Sequence, residues 1–140
     1  MARILAIDYG QKRVGLAVTD PMQIISTGLC TVAANEIIDF LKKYVAKEVV
    51  EQIVVGYPRQ NNNQASDNAQ FVEKFVVKLK QALPSHPIVY FDERFTSKIA
   101  MRTMIDGGLG KKARQDKALV DEISATIILQ DYMQFKSNSF

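Results

Sequence analysis

Apolar positions at the start of the chain fall in short blocks parted by polar turns. Ile4-Leu5-Ala6-Ile7 and Val14-Gly15-Leu16-Ala17-Val18 are two such blocks. The polar stretch Asp8-Tyr9-Gly10-Gln11-Lys12-Arg13 between them predicts an antiparallel hairpin. Thr19-Asp20-Pro21 makes a second turn, and the β-rich segment 24–32 gives a third strand of the same meander. The period then changes. Asn35 stands as an N-cap before Ile37, Ile38, Leu41, Val45 and Val49, which recur at helical spacing. Ile53-Val54-Val55-Gly56 reads as a short buried strand, ended by Tyr57-Pro58 and followed by the polar loop Asn61-Asn62-Asn63-Gln64. Ala69, Val72, Phe75, Val76, Leu79 and Leu83 mark a long amphipathic helix closed by Pro84.

Ile88-Val89-Tyr90-Phe91 predicts a fifth strand, residues 96–105 a shorter helix, and Gly107-Gly108-Leu109-Gly110 its end. The basic stretch 111–117 reads as a loop, residues 120–133 as a last helix, and 136–140 as a frayed tail. The order β-β-β-α-β-α-β-α-α needs right-handed crossovers and a parallel portion of sheet. The expected architecture is α/β. It has a mixed five-stranded sheet, made of a three-strand antiparallel meander plus two parallel crossover strands, with helices on both faces.

Composition narrows the chemistry. A chain of 140 residues is the size of one domain, here taken as residues 1–135. With 47% hydrophobic and 24% charged residues it can build a core without metal or disulfide staples. Cys30 is the sole cysteine and His86 the sole histidine, which excludes an internal disulfide and a zinc-finger cluster. Cys30 itself reads as a small buried hydrophobe. The first apolar run stops at Asp8, too short for a signal h-region, and no stretch approaches the ~20 apolar residues of a membrane span. A cytoplasmic protein with no membrane partner is expected. The net charge of +3 is compatible with a polyanionic partner.

Acidic residues at strand ends carry the most information. Asp8 follows a buried strand directly, and Asp92-Glu93 follows another. Sites in α/β sheets form beyond the carboxyl ends of the parallel strands. If the first and fifth strands run parallel, these carboxylates share one edge. Strand alternation sends Asp92 and Glu93 to opposite faces, so one of the two reaches the site. Asp8 also suits a turn ahead of glycine. Asp121, Ala125, Ile128 and Tyr132 share one face of the last helix, and the small Ser124 and Ala125 would let it approach the sheet closely. A first-turn aspartate complementing the helix dipole is the simpler reading of Asp121 alone. Three converging carboxylates would repel one another unless a cation sat among them. Mg²⁺ and Mn²⁺ are held by such groups together with substrate phosphates.

Four motifs in order resemble the YqgF/RuvX family: Ile4-Leu5-Ala6-Ile7-Asp8-Tyr9-Gly10, Val55-Gly56-Tyr57-Pro58, Asp92-Glu93-Arg94 with Thr96, and Val120-Asp121 with Ser124-Ala125 and Ile128-Leu129-Gln130. The resemblance spans essentially the whole chain. It implies a ribonuclease H-like fold and a metal-dependent nuclease, either a Holliday junction resolvase or an enzyme maturing the 5′ end of pre-16S ribosomal RNA. Carried over by position, Asp8, Glu93 and Asp121 are the implied catalytic and metal-holding residues. Asp8 would bridge two Mg²⁺ or Mn²⁺ ions, with Glu93 and Asp121 each completing one coordination sphere. Asn61-Asn62-Asn63 departs from the glycine that many members carry in that loop; asparagine tolerates positive φ better than other non-glycine residues.

Basic residues cluster around the predicted site loops. Lys12 and Arg13 sit just past Asp8, Arg94 adjoins Glu93, and Lys98, Arg102, Lys111, Lys112, Arg114 and Lys117 follow. As a group they predict phosphate contacts; singly, each reads as a solvated charge. Two other readings stay in view. A two-lobed kinase-like ATPase shares the acidic glycine hairpin but needs two domains, and no P-loop spacing is present. A non-catalytic binding module or transcription factor of the same fold would not need three convergent carboxylates. The expected partner is nucleic acid, RNA over DNA, in ribosomal precursor particles. A monomer or weak homodimer is expected, because a junction resolvase normally demands a two-fold dimer and no dimerisation helix is evident.

Overall fold

The structure is a computed structural model that describes residues 2–57, 69–92 and 117–137, with side chains in the last segment from Glu122 to Lys136. The meander consists of β1 (Arg3–Tyr9), β2 (Arg13–Thr19) and β3 (Ser26–Ala33). A 3-10 turn at Ala34–Glu36 leads into α1 (Ile37–Lys47), then β4 (Val50–Tyr57), α2 (Ala69–Ala82), β5 (Ile88–Asp92) and the long helix α3 (Lys117–Ser137). The strand order is β3-β2-β1-β4-β5. β1 pairs antiparallel with β2 and parallel with β4, and β4 is parallel to β5. The expected mixed sheet is present, with its parallel half built by crossovers.

Alternation along the strands sorts the core into two layers. Leu5 and Ile7 of β1, Val14, Leu16 and Val18 of β2, and Ile53 and Val55 of β4 point to one face. There they meet Ile37 and Leu41 of α1 and Val72, Phe75, Val76 and Leu79 of α2. The other face shows Ile4, Ala6, Ala17 and Val54 to Ala125, Ile128 and Leu129 of α3. Its residues are smaller, so α3 lies close. At Gly28 of β3 the Glu122 side chain of α3 lies against the strand: a Cβ there would stand 2.5 Å from its Oε1. The seam is pinned by the Ser26 hydroxyl, which donates to the Thr126 carbonyl at 3.1 Å. At the far end the Tyr132 hydroxyl donates to Oε1 of Gln52 in β4 at 2.8 Å.

Several boundaries differ from the sequence reading. Ile24 and Ile25 precede β3 rather than belonging to it. The Asp20 carboxylate accepts the N–H groups of Met22, Ile24 and Ile25 at 3.1, 2.7 and 2.7 Å, with Gln23 at φ 58. Those bonds hold the segment as a loop, and they also hold the Asp20 carboxyl below its usual value, the Ile25 N–H contributing most. Asn35 lies inside the 3-10 turn; α1 is preceded by Glu36 with no side-chain cap bond. Val49 falls beyond the end of α1, where its carbonyl accepts the Arg3 N–H, and its side chain is exposed. Lys117, assigned to a basic loop, opens α3, and the helix continues through Ser137, beyond the expected start of the tail. The expected helix at 96–105 and the glycine-rich turn after it lie outside the described residues.

Candidate functional site

Asp8 is a strand residue rather than a turn residue. It is half-buried near the end of β1 and pairs with Gly15 of β2. On the other flank the β1–β4 pairing runs to Ile7↔Val55, and the next residue of β4 is Gly56. Alternation with Ile4 and Ala6 puts Asp8 on the α3 face. A carboxylate thus stands on a strand end with glycine on each neighbouring strand. Glycine inside a strand often marks the close approach of a ligand or another backbone. Gly15 and Gly56 interrupt apolar runs in the sequence, but only the strand register reveals that they flank the same residue.

The Asp92-Glu93 pair is now divided. Asp92 ends β5 opposite Tyr57. Its neighbour Phe91 packs with the α3-side cluster, against Tyr132 at 5.9 Å. Asp92 therefore faces the α1–α2 side, away from Asp8, where it lines a hollow with Tyr57, Glu73 and Tyr90. Glu93, Arg94, Lys98, Arg102, Lys111, Lys112 and Arg114 lie outside the described residues.

Asp121 is the fifth residue of α3, and its side chain lies outside the described set. The path of its backbone is informative. Thr126 meets Ser26, and one turn earlier Glu122 meets Gly28. Tracing α3 backwards thus climbs β3 toward the row Asp8–Gly15–Thr31. Of the predicted stripe, Ala125 and Ile128 are fully buried and Tyr132 half-buried, as the spacing required.

The hairpin beside Asp8 is closed by the Gly10 N–H donating to the Arg13 carbonyl at 2.9 Å. A Cβ on Gly10 would come within 2.6 Å of that same oxygen, so the turn needs glycine. Gly10, Gln11, Lys12 and Arg13 line an open depression of about 360 Å³. Lys12 and Arg13 therefore lie in the hairpin turn just beyond the strand end carrying Asp8. Tyr9 stacks on Phe75 at 4.4 Å and packs in the α1–α2 core. Cys30 is a half-buried free thiol within β3; burial, with the Glu122 carboxylate adding to it, pushes its pKa up and keeps it protonated.

No helix among the described residues is long and apolar enough to cross a membrane. Among the described residues no three metal-ligating side chains gather into a group.

A family model described as RuvX, Holliday junction resolvase, matches residues 2–135. The chain belongs to the RuvX family. A Bacteroides fragilis protein named "Putative pre-16S rRNA nuclease" is 58% identical over 136 residues, covering 97% of this chain and 99% of that protein. A Porphyromonas gingivalis protein of the same name is 57% identical over 133 residues, covering 95% and 96%. Among solved structures, Thermus thermophilus RuvC in complex with Holliday junction substrate superposes with a TM-score of 0.57 at 18% identity, covering 96% of each chain. That likeness establishes the fold as RuvC-like, in agreement with the ribonuclease H-like expectation. As a RuvX member the chain is a nuclease, a hydrolase acting on nucleic-acid ester bonds.

Proposed function

We propose that this RuvX-family nuclease trims the 5′ end of pre-16S ribosomal RNA in the cytoplasm, using Mg²⁺ or Mn²⁺ held by Asp8, Glu93 and Asp121. The observation that carries the reading is Asp8 itself. It is a half-buried carboxylate at the carboxyl end of a parallel strand, flanked by Gly15 and Gly56, in a chain whose relatives share the pre-16S rRNA nuclease name. Asp92 faces the opposite side of the sheet, which leaves Glu93 as our choice from that pair. The donor set suits a hard divalent cation, since carboxylate oxygens are its preferred ligands.

When bound, the metal supplies an acidified water and charge neutralisation at the leaving 3′ oxygen. The chain's own residues supply the geometry. The β1 ladder fixes the Asp8 carboxylate on a rigid strand rather than a loop. Gly15 and Gly56 contribute no side chain beside it, so the substrate backbone can approach. Lys12 and Arg13, at the neighbouring hairpin, hold phosphates of the strand being cut, with Arg94, Lys98, Lys111, Lys112 and Arg114 assigned to the same task. Phosphate contacts of this kind make log affinity fall with log salt in proportion to the phosphates neutralised.

The deciding experiment is a side-by-side cleavage assay on a pre-16S RNA 5′ fragment and a four-way DNA junction, with Mg²⁺ or Mn²⁺, against Asp8→Asn. Cleavage of the RNA alone, lost in the variant, is the expected result. Symmetric cutting of the junction by a dimer would replace this reading with resolvase activity. Binding without cleavage of either substrate would point to a non-catalytic module.

A further inference from the structure

The chain's excess of positive charge lies on the helices of the face opposite Asp8. α1 and α2 together carry Lys42, Lys43, Lys47, Lys74, Lys78 and Lys80 against Asp39 and Glu73, a net of +4 where the whole chain nets +3. All six lysines are exposed. Among the described residues none of the six is ion-paired. Lys43 shares a hollow with Glu36 and Asp39 without an ion pair to either. Lys74 stands 5.9 Å from the centroid of the Phe71 ring and keeps its charge. Of the two acids on these helices, Glu73 accepts the Tyr57 hydroxyl at 2.6 Å.

The two helices pack against each other over the core they share. They are 11 and 14 residues long, about 16 and 21 Å at 1.5 Å per residue. Packed helices lie about 8–10 Å apart, so the lysines are spread over a rigid platform about 20 Å long. The segment leading into α1 starts beside the basic hairpin, where the Ala34 N–H donates to the Lys12 carbonyl at 2.9 Å. Glu36 and Asp39 come first, and Lys42 and Lys43 lie about 10 Å further along than Glu36. Hairpin and helix lysines are thus two basic footholds with acids between them.

We infer that the α1–α2 face binds the phosphate backbone of a double-helical RNA segment adjoining the cleavage point, while the single strand to be cut crosses the carboxyl edge to Asp8. The inference rests on the nuclease reading for the position of the cut. A lysine is a point charge that contacts phosphate without demanding an orientation. A duplex carries roughly one phosphate charge per 1.7 Å of axis and is stiff over this length, so a fixed array of ammonium groups meets it with little ordering cost. A single strand would have to be straightened along the platform. The exposed side chains among the lysines of α2, Gln70, Val77 and Gln81, give its bases no ring to stack on. Short strands reach one foothold; an RNA with a stem reaches both and gains affinity by linking them.

The test uses the full-length protein and two RNAs, a short single strand and the same strand carrying a hairpin stem longer than the platform. Binding is measured without metal, and cleavage with Mn²⁺. The stem-bearing RNA should bind at least about tenfold more tightly at physiological salt. Two triple variants divide the platform: Lys42→Gln with Lys43→Gln and Lys47→Gln, and Lys74→Gln with Lys78→Gln and Lys80→Gln. Each should weaken binding of the stem-bearing RNA about tenfold and make its log–log salt slope shallower by about two, with the short strand unaffected. Arginine at the same positions should restore both. In cleavage, each triple variant should raise KM on the stem-bearing RNA and leave kcat in place.

Equal binding of the two RNAs by the wild-type chain would overturn the inference, as would triple variants that lose the short strand as much as the stem. Variants that keep the stem but no longer bind phosphatidylglycerol vesicles would overturn it too, by assigning the lysines to a lipid surface. Failure of the nuclease reading looks different. In that case neither RNA is cut, yet the preference for the stem and its dependence on the lysines persist.

Discussion

The two faces of the sheet are built on different plans. On the α1–α2 side the strands present Leu5, Ile7, Leu16, Ile53 and Val55, large aliphatics met by Ile37, Leu41, Phe75 and Leu79. On the α3 side they present Ile4, Ala6, Ala17 and Val54, with the Glu122 side chain of α3 seated against Gly28. The first face buries more apolar surface per residue, and burial of each large side chain is worth about 1.5–3 kcal/mol. The second gives up that volume to bring a helix close, and it carries Asp8 at its rim. On the proposed assignment, stability is concentrated on one side of the sheet and chemistry on the other.

Separating the two roles is the strongest test of that division. Asp8→Asn should leave the fold intact while cleavage falls by about a thousandfold or more, the loss of several kcal/mol of transition-state stabilisation. Circular dichroism beside a turnover assay reads both. Leu41→Ala or Leu79→Ala, on the other face, should cost about 2–5 kcal/mol in urea unfolding, with the folded fraction still active. Ala125→Leu should cost less stability, about 1–3 kcal/mol, because the close α3 seam must open to admit the larger side chain. That variant should also lose activity in its folded fraction. If it unfolds as Leu41→Ala does but stays fully active, the division of labour is wrong.

Two smaller effects sharpen the picture at the seam and the loops. Tyr132→Phe removes one hydrogen bond, to Gln52, and should cost about 1 kcal/mol. Asp20 gives the smallest effect and a signed one. Its folded pKa is depressed below the ordinary 3.8, so its bonds to Met22, Ile24 and Ile25 contribute above that value. They are lost as pH falls through the lowered folded pKa. The protection of the Ile24 and Ile25 amides relative to their intrinsic exchange rates should fall on that acidification, and Asp20→Asn should flatten the dependence.

Most of the architecture was legible because burial imposes a period. Residues 4–7 and 53–55 are short apolar runs of strand length, and the spacing from Ala69 to Leu83 fits only a helix with one buried face. What periodicity could not anticipate were polar groups that override propensity. Ile24 and Ile25 have every local preference for a strand, yet one aspartate takes their amides and leaves both side chains exposed. Val49 continues the α1 stripe in spacing, but Glu48 is already extended, at φ −117 and ψ 137, and the chain has turned toward β4. At the site, Asp8 and its edge were visible as an acid after an apolar strand. Its placement within the ladder, between Gly15 and Gly56, was not, because which strands lie side by side is a property of pairing rather than of any one segment. The same holds for the hollow at Tyr57 and Tyr90. Its described lining residues come from three elements, and nothing in their local sequence brings them together.

The bond from Ser26 to the Thr126 carbonyl joins residues one hundred positions apart, across the same face that carries Asp8. During synthesis the five strands and the first two helices emerge well before α3 does. Chains elongate at roughly 5–20 residues per second, whereas a hairpin forms within microseconds, so the large-aliphatic face has ample time to organise first. Until α3 arrives, Ile4, Ala6, Ala17 and Val54 stay wet. On the proposed assignment Asp8 also lacks Asp121 throughout that interval. A nascent chain would therefore be nucleolytically inert beside the RNA of the ribosome that is synthesising it.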